Sequence, residues 1–488
     1  MSMIKIEDLT FGYPASAENV FEDLNAVIDT DWKLALTGRN GRGKTTLLKL
    51  LSGEYEYKGK IKGGVRCDYF PYTVKDIDAT VSEAVFGVCP SAEEWEVARE
   101  FSCLGLDRSA LYMPFGRLSD GEKTKVLLAA MFLNDGRFML IDEPTNHLDA
   151  KARAQVAAYL NKKRGFVLVS HDRAFADACV DHVMALNRTG VEIRSGNLTA
   201  WLNDFEDRQN AEQKQNEKLQ TEIKRLRQSA VRSAEWARRT EAEKTGCGPV
   251  DRGYIGHKAA KMMKHAKVIE DRQRRLIGEK ESLLRDTEIA DRLKMNALQY
   301  RSDVLADLSS VQIVYDGVAV NKPVSFTVTK GKRIALNGCN GCGKSSIVKA
   351  LLGRKTEYTG RISVGSGLTI SYVPQDASAF SGNIREKLKD DGVEESLFMA
   401  TLFKMGVEEN PLGKDIRELS DGQRKKVLLA ESMCQRAHLY IWDEPLNYID
   451  IYTRVQIERL IKEFCPTMVF IEHDSAFRDS VATEVIDM

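Results

Sequence analysis

Two glycine-rich runs in this chain each end in a lysine followed by a hydroxyl residue, and they begin 300 residues apart, at Gly38 and Gly338. Glycines in such a run let backbone N–H groups face phosphates at a helix N-terminus, while the lysine reaches the terminal phosphates. The hydroxyl group supplies a ligand for Mg²⁺. The spacing predicts two phosphate-binding loops, formed by Gly38, Arg39, Asn40, Gly41, Arg42, Gly43, Lys44, Thr45 and Thr46, and by Gly338, Cys339, Asn340, Gly341, Cys342, Gly343, Lys344, Ser345 and Ser346.

An acidic pair follows each loop by about 100 residues, Asp142-Glu143 in the first case and Asp443-Glu444 in the second. Each pair comes directly after a short apolar run of the kind found in buried parallel strands. The aspartate is placed to hold a metal ion, and the glutamate to polarise an attacking water as a general base. We therefore predict Glu143 and Glu444 as catalytic bases, and metal ligands at Thr45, Asp142, Ser345 and Asp443.

Two further motifs return at nearly the same offset. Ser119-Asp120-Gly121-Glu122 recurs as Ser420-Asp421-Gly422-Gln423, and His171 recurs as His473 after a short apolar run. Both histidines are predicted to act in catalysis by contacting the γ-phosphate. Offsets of 300 to 302 across four motifs indicate that the chain holds two copies of one nucleotide-binding cassette.

The order of apolar runs, glycine-rich turns and helical stretches along the chain predicts an α/β fold, with two tandem cassette domains joined by a long antiparallel α-helical hairpin. We place the first cassette at residues 1–202, the linker at 203–300 and the second cassette at 301–488. From 221 to 280 the linker has 16 Lys or Arg against 8 Asp or Glu. A narrow apolar seam marks its first arm, and glycines and a proline between 245 and 253 predict the turn. The seam comprises Leu219, Ile223, Leu226, Ala230 and Ala237.

The composition, with 43% hydrophobic and 29% charged residues and a net charge of zero, is typical of a soluble globular protein. No apolar run approaches the ~18 residues that cross a bilayer, and the start of the chain has no signal-peptide core. Nine cysteines without framework spacing indicate a reducing compartment. Cys339 and Cys342 form a CxxC pair, which we interpret as variable positions of a phosphate loop.

Leu118-Ser119-Asp120-Gly121-Glu122 and its second copy resemble the signature sequence of ATP-binding cassette proteins. The resemblance implies that ATP lies between the phosphate loop of one cassette and the signature segment of the other. The first loop then pairs with Ser420 and Gly422, and the second with Ser119 and Gly121. The same resemblance implies that Gln375 contacts Mg²⁺ and the attacking water. Tyr13 and Tyr315 follow the first strand of their cassettes and either stack on adenine or simply pack.

Two positions depart from the family pattern. Tyr72 stands where the second copy has Gln375, and it cannot offer the amide, so the first site is expected to turn over differently. Glu472 replaces the serine that the first copy has at Ser170. Because both general-base glutamates are intact, we expect both sites to hydrolyse ATP.

Two cassettes joined by a basic helical hairpin resemble the F subfamily of ATP-binding cassette proteins (ABC-F), which act on the ribosome. A positively charged hairpin also suits a phosphate-lined RNA surface. Residues 253–267, 6–13 and 38–45 are similar to the corresponding segments of the branch that protects bacterial ribosomes from lincosamides, group A streptogramins and pleuromutilins.

That resemblance implies a cytoplasmic, ribosome-associated monomer whose cassettes close on each other around ATP and Mg²⁺. Its partner would be the bacterial 70S ribosome, contacted at the tRNA exit site through 23S rRNA and the P-site tRNA, and neither a membrane nor DNA. The hairpin tip would extend toward the peptidyl-transferase centre and dislodge drug, with ATP hydrolysis allowing release. By position, the tip comprises Lys244, Gly246, Cys247, Gly248, Pro249 and Tyr254.

Other interpretations remain open at this point. One is a housekeeping ABC-F translation factor that relieves stalled ribosomes. Another is the ATPase subunit of a membrane drug exporter, which the long basic linker disfavours. A third is a DNA-repair ATPase, for which zinc-type cysteine clusters or long coiled coils are expected. A fourth is that the basic linker is only a solvent-exposed coiled coil that binds no partner.

Overall fold

A computed structural model describes residues 2–14, 19–74, 76–134, 136–146, 148–187, 190–242, 293–315, 317–377, 380, 382–407 and 410–488. The chain forms two compact units, one of Met1–Trp201 with Asp291–Met488 and the other of Leu202–Ala290. Both cassettes therefore belong to the same unit. The predicted turn and second arm of the linker, with the tip residues Lys244, Gly246, Cys247, Gly248, Pro249 and Tyr254, lie outside the described residues.

The first cassette combines a six-stranded sheet with a smaller antiparallel sheet of three strands. In chain order its elements are β1 (Met3–Phe11), β2 (Phe21–Asp29), β3 (Lys33–Gly38), α1 (Lys44–Ser52), β4 (Lys58–Lys62), β5 (Arg66–Phe70), α2 (Val81–Val88), α3 (Glu94–Cys103), α4 (Asp120–Phe132), β6 (Arg137–Asp142), α5 (Ala150–Asn161), β7 (Phe166–Val169), α6 (Arg173–Cys179), β8 (His182–Asn187) and β9 (Gly190–Ser195).

The second cassette repeats this plan with a five-stranded sheet and a four-stranded antiparallel one. Its elements are β10 (Val304–Tyr315), β11 (Val318–Ala319), β12 (Val324–Thr329), β13 (Arg333–Asn337), α8 (Lys344–Leu351), β14 (Tyr358–Val364), β15 (Ile370–Val373), α9 (Ile384–Asp390), α10 (Glu395–Lys404), α11 (Asp421–Cys434), β16 (Leu439–Asp443), α12 (Ile451–Phe464), β17 (Met468–Ile471), α13 (Ser475–Val481) and β18 (Glu484–Asp487).

The order of the central strands brings the predicted chemistry to one edge of each sheet. In the first cassette β6, β7, β3 and β8 are neighbours and run parallel, and in the second β16, β17, β13 and β18 do the same. Strands β7, β16 and β17 are buried at every residue, as parallel strands covered on both faces must be. Ligands of such sheets bind beyond the carboxyl ends of the strands, where the phosphate loops, acidic pairs and histidines follow.

The first arm of the linker is a single helix, α7 (Leu198–Ala242), 45 residues long. It follows β9 and begins in the first unit, before the boundary at Leu202. At 1.5 Å per residue a helix of this length reaches roughly 65 Å. The helical first arm predicted from the apolar seam is therefore confirmed.

Trp442 lies at the centre of the second cassette, fully buried, and its indole N–H donates to the Ser432 hydroxyl at 2.9 Å. We predict that Trp442→Ala lowers the free energy of unfolding by about 3–5 kcal/mol, because it opens a cavity in a packed core. The shift of the urea midpoint measures it. Trp95→Ala, at a position 57% exposed, is the control. A change there as large as at Trp442 would contradict the assignment of the core.

Candidate active sites

Each phosphate loop connects a central parallel strand to a helix. β3 leads into the first loop and α1, and β13 leads into the second loop and α8. Gly43 immediately precedes α1 with a φ of 82°, and a Cβ built there would lie 2.6 Å from Val20 Cγ1. The left-handed backbone and this close contact together require glycine. The loop is thereby fixed at the N-terminus of α1, where backbone N–H groups are free to bind an anion.

The two loop lysines make the same contact in both cassettes. Lys44 Nζ donates to the Gly38 carbonyl at 2.7 Å, and Lys344 Nζ donates to the Gly338 carbonyl at 2.8 Å. Burial lowers the pKa of the Lys44 ammonium, and nearby carboxylates, foremost Asp450, act in the opposite direction. Both ammonium groups are thus held inside the loops that are predicted to enclose the phosphates.

The groups predicted to bind the metal ion lie together. Thr45 Oγ1 donates to Asp142 Oδ2 at 2.6 Å, and the Tyr69 hydroxyl donates to the same oxygen at 3.1 Å. Asp443 is buried, and its Oδ1 has no hydrogen-bond partner among the described residues. A buried, unpaired carboxylate oxygen is costly unless a cation compensates it. These oxygen donors therefore fit Mg²⁺, which prefers carboxylate and hydroxyl oxygens.

Both predicted general bases have an unusual backbone. Glu143 and Glu444 have φ values of 48° and 46°, in the left-handed region that is unfavourable for residues other than glycine. A strand-end hydrogen bond holds each conformation: the Glu143 N–H donates to the Val169 carbonyl at 2.9 Å, and the Glu444 N–H to the Ile471 carbonyl at 3.0 Å. Strained backbone of this kind is concentrated at functional sites, which agrees with the predicted role.

The predicted histidine lies next to the predicted base in each cassette. Nε2 of His171 is 3.4 Å from Oε1 of Glu143, and Nε2 of His473 is 3.3 Å from Oε1 of Glu444. Burial and the nearby Lys44 ammonium lower the pKa of His171 well below its usual range. His171 is therefore neutral at pH 7, and its ring can donate a hydrogen bond without adding charge.

The two glutamates differ in electrostatic environment. Burial, with the adjacent Asp142 carboxylate, raises the pKa of Glu143 to about 8. Burial also acts on Glu444, but hydrogen bonds from His473, Asn447 and Gln375 outweigh it and lower the pKa of Glu444 to about 2. The surroundings of the second base therefore favour its ionised form, whereas those of the first disfavour it.

The signature serines begin helices. Ser119 caps α4 and Ser420 caps α11, each accepting the backbone N–H of the residue three positions later in a capping box. The partial positive charge of a helix N-terminus favours an anion in front of it. Gly422 lies beside the first phosphate loop. A Cβ atom placed on Gly422 would lie 3.6 Å from Nδ2 of Asn40.

Residues from both cassettes line two cavities, a first of about 650 Å³ and a second of about 750 Å³. Of the predicted residues, the first cavity brings together Tyr13, Arg39, Asn40, Gly41, Arg42, Gly43, Lys44, Thr45, Thr46, Asp142, Glu143 and His171 with Ser420 and Gly422. The second brings together Tyr315, Asn340, Gly341, Gly343, Lys344, Ser345, Ser346, Gln375, Glu444 and His473 with Ser119 and Gly121. The predicted residues Gly38, Gly338, Cys339, Cys342 and Asp443 do not line either cavity.

The two predicted adenine-stacking tyrosines are anchored through their hydroxyl groups. Tyr13 is hydrogen-bonded to Thr46 Oγ1 at 2.9 Å and Tyr315 to Ser346 Oγ at 2.5 Å, which leaves the rings 39% and 52% exposed. The Tyr13 ring also packs edge-on against Phe11, with centroids 5.1 Å apart. Both rings lie at the mouths of the cavities, so stacking on a base stays a prediction.

Sequence reasoning missed three contacts. Tyr69 bonds to Asp142, the Asn447 amide donates to Glu444 Oε2 at 2.7 Å, and Asn40 of the first cassette donates to the Tyr448 carbonyl of the second at 2.9 Å. The repeat itself held a signal for Asn447, because Asn146 occupies the corresponding place in the first copy. The contact of Asn40 with the backbone carbonyl of Tyr448 leaves no such signal in the sequence.

Two further observations concern the cysteines and the helices of the described residues. Cys339 and Cys342 are free thiols, and within the described ranges there is no group of three or more His, Cys, Asp or Glu that could hold a metal ion. Among the described helices, none has the length and apolar character needed to cross a bilayer.

A family model described as ABC transporter matches residues 21–146 and 321–447, together more than half of the chain. The chain belongs to the ABC transporter family. It carries two ATP-binding cassettes in tandem and is an ATPase, as predicted from the paired motifs.

Similar proteins span most of this chain. The ribosome protection protein VmlR of Bacillus subtilis is 25% identical, covering 95% of this chain and 83% of that protein. The energy-dependent translational throttle protein EttA of Haemophilus influenzae is 25% identical, covering 96% and 89%. The solved archaeal ribosome recycling factor aABCE1, in complex with stalk protein aP1, matches with a TM-score of 0.64 and 20% identity over 98% of this chain and 87% of that one. It has the same tandem fold.

We predict that the double substitution Glu143→Gln and Glu444→Gln lowers ATP turnover by about 10²- to 10⁴-fold, the usual loss when a general base is removed. Phosphate release measures turnover, and nucleotide binding should persist because the phosphate loops are intact. Of the single variants, Glu444→Gln should cause the larger loss, because Asn447 and Gln375 orient that carboxylate. Glu7→Gln, which neutralises a surface carboxylate of β1, is the control. Turnover that survives in the double variant would exclude both glutamates as bases.

Proposed function

We propose that this chain is an ABC-F ATPase that binds the tRNA exit site of the bacterial 70S ribosome and protects it from antibiotics of the peptidyl-transferase centre. The drugs would be lincosamides, group A streptogramins and pleuromutilins. ATP-bound closure of the cassettes holds the protein on the ribosome, the linker dislodges the drug, and hydrolysis allows release. In this proposal the protein works in the cytoplasm as a monomer.

The observation that carries the proposal is the long helix α7 (Leu198–Ala242), which follows the first of two paired cassettes in the chain. A transporter motor would need an apolar surface for a membrane subunit, whereas this linker is polar and carries basic side chains. Lys214, Lys218 and Arg225 line one cavity on α7, together with Thr221 and Glu222. Cations arrayed on a helix suit the phosphate backbone of RNA. VmlR and EttA, which are named for ribosome protection and for translation, support the same class of target.

Within each site, different residues would bind the phosphates, hold the metal ion and activate the water. Lys44 and Lys344 would neutralise the terminal phosphates, and the helix N-termini at Ser420 and Ser119 would face the same phosphates from the other cassette. Thr45 with Asp142, and Ser345 with Asp443 and Gln375, would hold Mg²⁺, which supplies charge neutralisation. Glu143 and Glu444 would orient and deprotonate the attacking water.

A housekeeping role in relieving stalled ribosomes is the second candidate, and the similarity to EttA favours it. The two candidates share the binding site on the ribosome and the ATPase cycle. They differ in whether drug tolerance depends on the protein.

We predict that the double variant Glu143→Gln and Glu444→Gln, supplied with ATP, co-sediments with 70S ribosomes, because the cassettes close but do not reopen. Sucrose-gradient sedimentation with ATP, with ADP and without nucleotide measures this. Adding Lys44→Ala and Lys344→Ala to the same variant is the matched control and should abolish retention. Dissociation of the double variant in ATP would contradict the clamp, and sedimentation with membranes would favour the exporter.

Expression in a susceptible bacterium separates the two candidate functions. Protection against a lincosamide and a pleuromutilin, without protection against an unrelated ribosome drug, is expected, and the double glutamine variant should lose it. The measurement is the minimum inhibitory concentration of each drug. No protection from any drug, with ribosome binding retained, would replace target protection by the housekeeping role.

A further inference from the structure

The two cassettes differ at the buried residue that precedes the site histidine. The first has Ser170 there and the second has Glu472, which is only 5% exposed. Oε1 of Glu472 accepts the backbone N–H groups of His473 at 2.8 Å and Asp474 at 3.2 Å. Oε2 accepts the N–H of Leu446, at 3.3 Å. One carboxylate therefore joins the histidine segment to the loop that follows β16.

The corresponding connection in the first cassette is made differently. Ser170 Oγ accepts the Asp172 N–H at 3.2 Å and lies 3.4 Å from Thr145 Oγ1. Thr145 is the counterpart of Leu446, so a pair of hydroxyl residues in one copy is replaced by a glutamate and a leucine in the other. Glu472 thus accepts three backbone N–H groups, whereas Ser170 accepts one.

Arg454 binds backbone carbonyl groups of the same loop, residues 445–450. It donates to the carbonyls of Leu446 at 2.8 Å and Ile449 at 2.9 Å, and to Asp474 Oδ2 at 3.1 Å. Arg454 and Glu472 are both buried. The 445–450 loop and the segment of His473 are thus joined through both N–H and C=O groups, and they are expected to move as one body.

The 445–450 loop also contacts the first cavity. The Tyr448 carbonyl accepts the Asn40 side-chain amide at 2.9 Å, and the carbonyl oxygen of that amide lies 3.4 Å from Lys44 Nζ. Tyr448 itself lines the first cavity. A shift of the 445–450 loop would therefore move Asn40 and change its contact with Lys44 in the first phosphate loop.

We propose that Glu472 is a positioning residue that couples nucleotide binding in the second cavity to nucleotide binding in the first. The proposal rests on the ATP-binding role given above to both cavities, and not on the ribosome as partner. When a γ-phosphate fixes His473, Glu472 fixes the 445–450 loop, and the Tyr448 carbonyl then holds Asn40 beside Lys44. Such coupling is reciprocal, so occupancy of the first cavity strengthens binding in the second by the same factor.

A double-mutant cycle tests the coupling. The affinity of the first cavity for a non-hydrolysable ATP analogue is measured by calorimetry in the parent protein, Lys344→Ala, Glu472→Ser and the combination. Lys344→Ala blocks the second cavity and should weaken binding in the first by on the order of fivefold or more. Glu472→Ser should weaken it by a smaller factor, because Arg454 still joins the 445–450 loop to Asp474. The combination should weaken it no further than Lys344→Ala alone, because a blocked second cavity has no binding to transmit.

Two further variants separate coupling from folding. Glu472→Ser together with Leu446→Thr rebuilds the pair of the first cassette, should melt at the parent temperature, and should still show the weaker coupling of Glu472→Ser. Ser170→Ala alters the matched position and should change the coupling by less than a factor of two. Multiplicative effects of Lys344→Ala and Glu472→Ser, or an unchanged first cavity when the second is blocked, would overturn the proposal. Absence of any binding in the parent would instead overturn the ATP sites themselves.

Discussion

Neither cassette completes either cavity alone, because the signature serine that lines each cavity belongs to the cassette opposite the phosphate loop. In the proposed ATP-binding role, two helix N-termini would face the triphosphate and neutralise its negative charges without more buried lysines. Contacts between the cassettes must therefore be specific. An ion pair between Arg173 and Glu458, with side chains only 15% and 13% exposed, joins α6 to α12, and Asn40 meets Tyr448 nearer the cavities.

The strained glutamates depend on the same sheet order. Each is held in the left-handed region by a hydrogen bond to the strand that carries the histidine, β7 for Glu143 and β17 for Glu444. The base and the histidine are thus positioned by adjacent parallel strands and not by a mobile loop. This arrangement explains why the Glu–His distances agree to within 0.1 Å between copies, at 3.4 and 3.3 Å, although the surrounding residues differ.

The sequence was sufficient where residue type and spacing carry the information. Glycine and lysine in a fixed run, an acidic pair after an apolar run, and a repeat at constant offset predicted both phosphate loops, both acidic pairs and the α/β plan. The pairing of each loop with the signature segment of the other cassette came from the family resemblance. An apolar seam predicted the helical first arm. No sequence pattern indicates the Tyr448 carbonyl as a partner of Asn40, because every residue has a carbonyl and only the fold decides which one is presented. Tyr69 beside Asp142 was also missed, although the repeat held a signal for it, because the same tyrosine recurs as Tyr372.

A tandem repeat within one chain lets the two sites diverge while the paired arrangement of the cassettes is kept. Three of the differences, Gln375 for Tyr72, Glu472 for Ser170 and Leu446 for Thr145, involve segments that carry or contact the second glutamate and its histidine. There Glu444 accepts hydrogen bonds that fix its carboxylate, whereas Glu143 Oε1 is buried without one in the described structure. A carboxylate with more hydrogen-bond donors is held in a narrower range of orientations, which suits a base that must meet its water at a fixed position. The repeat thus allows one base to be held more tightly than the other, while both cassettes keep the same order of sheet, loop and helix.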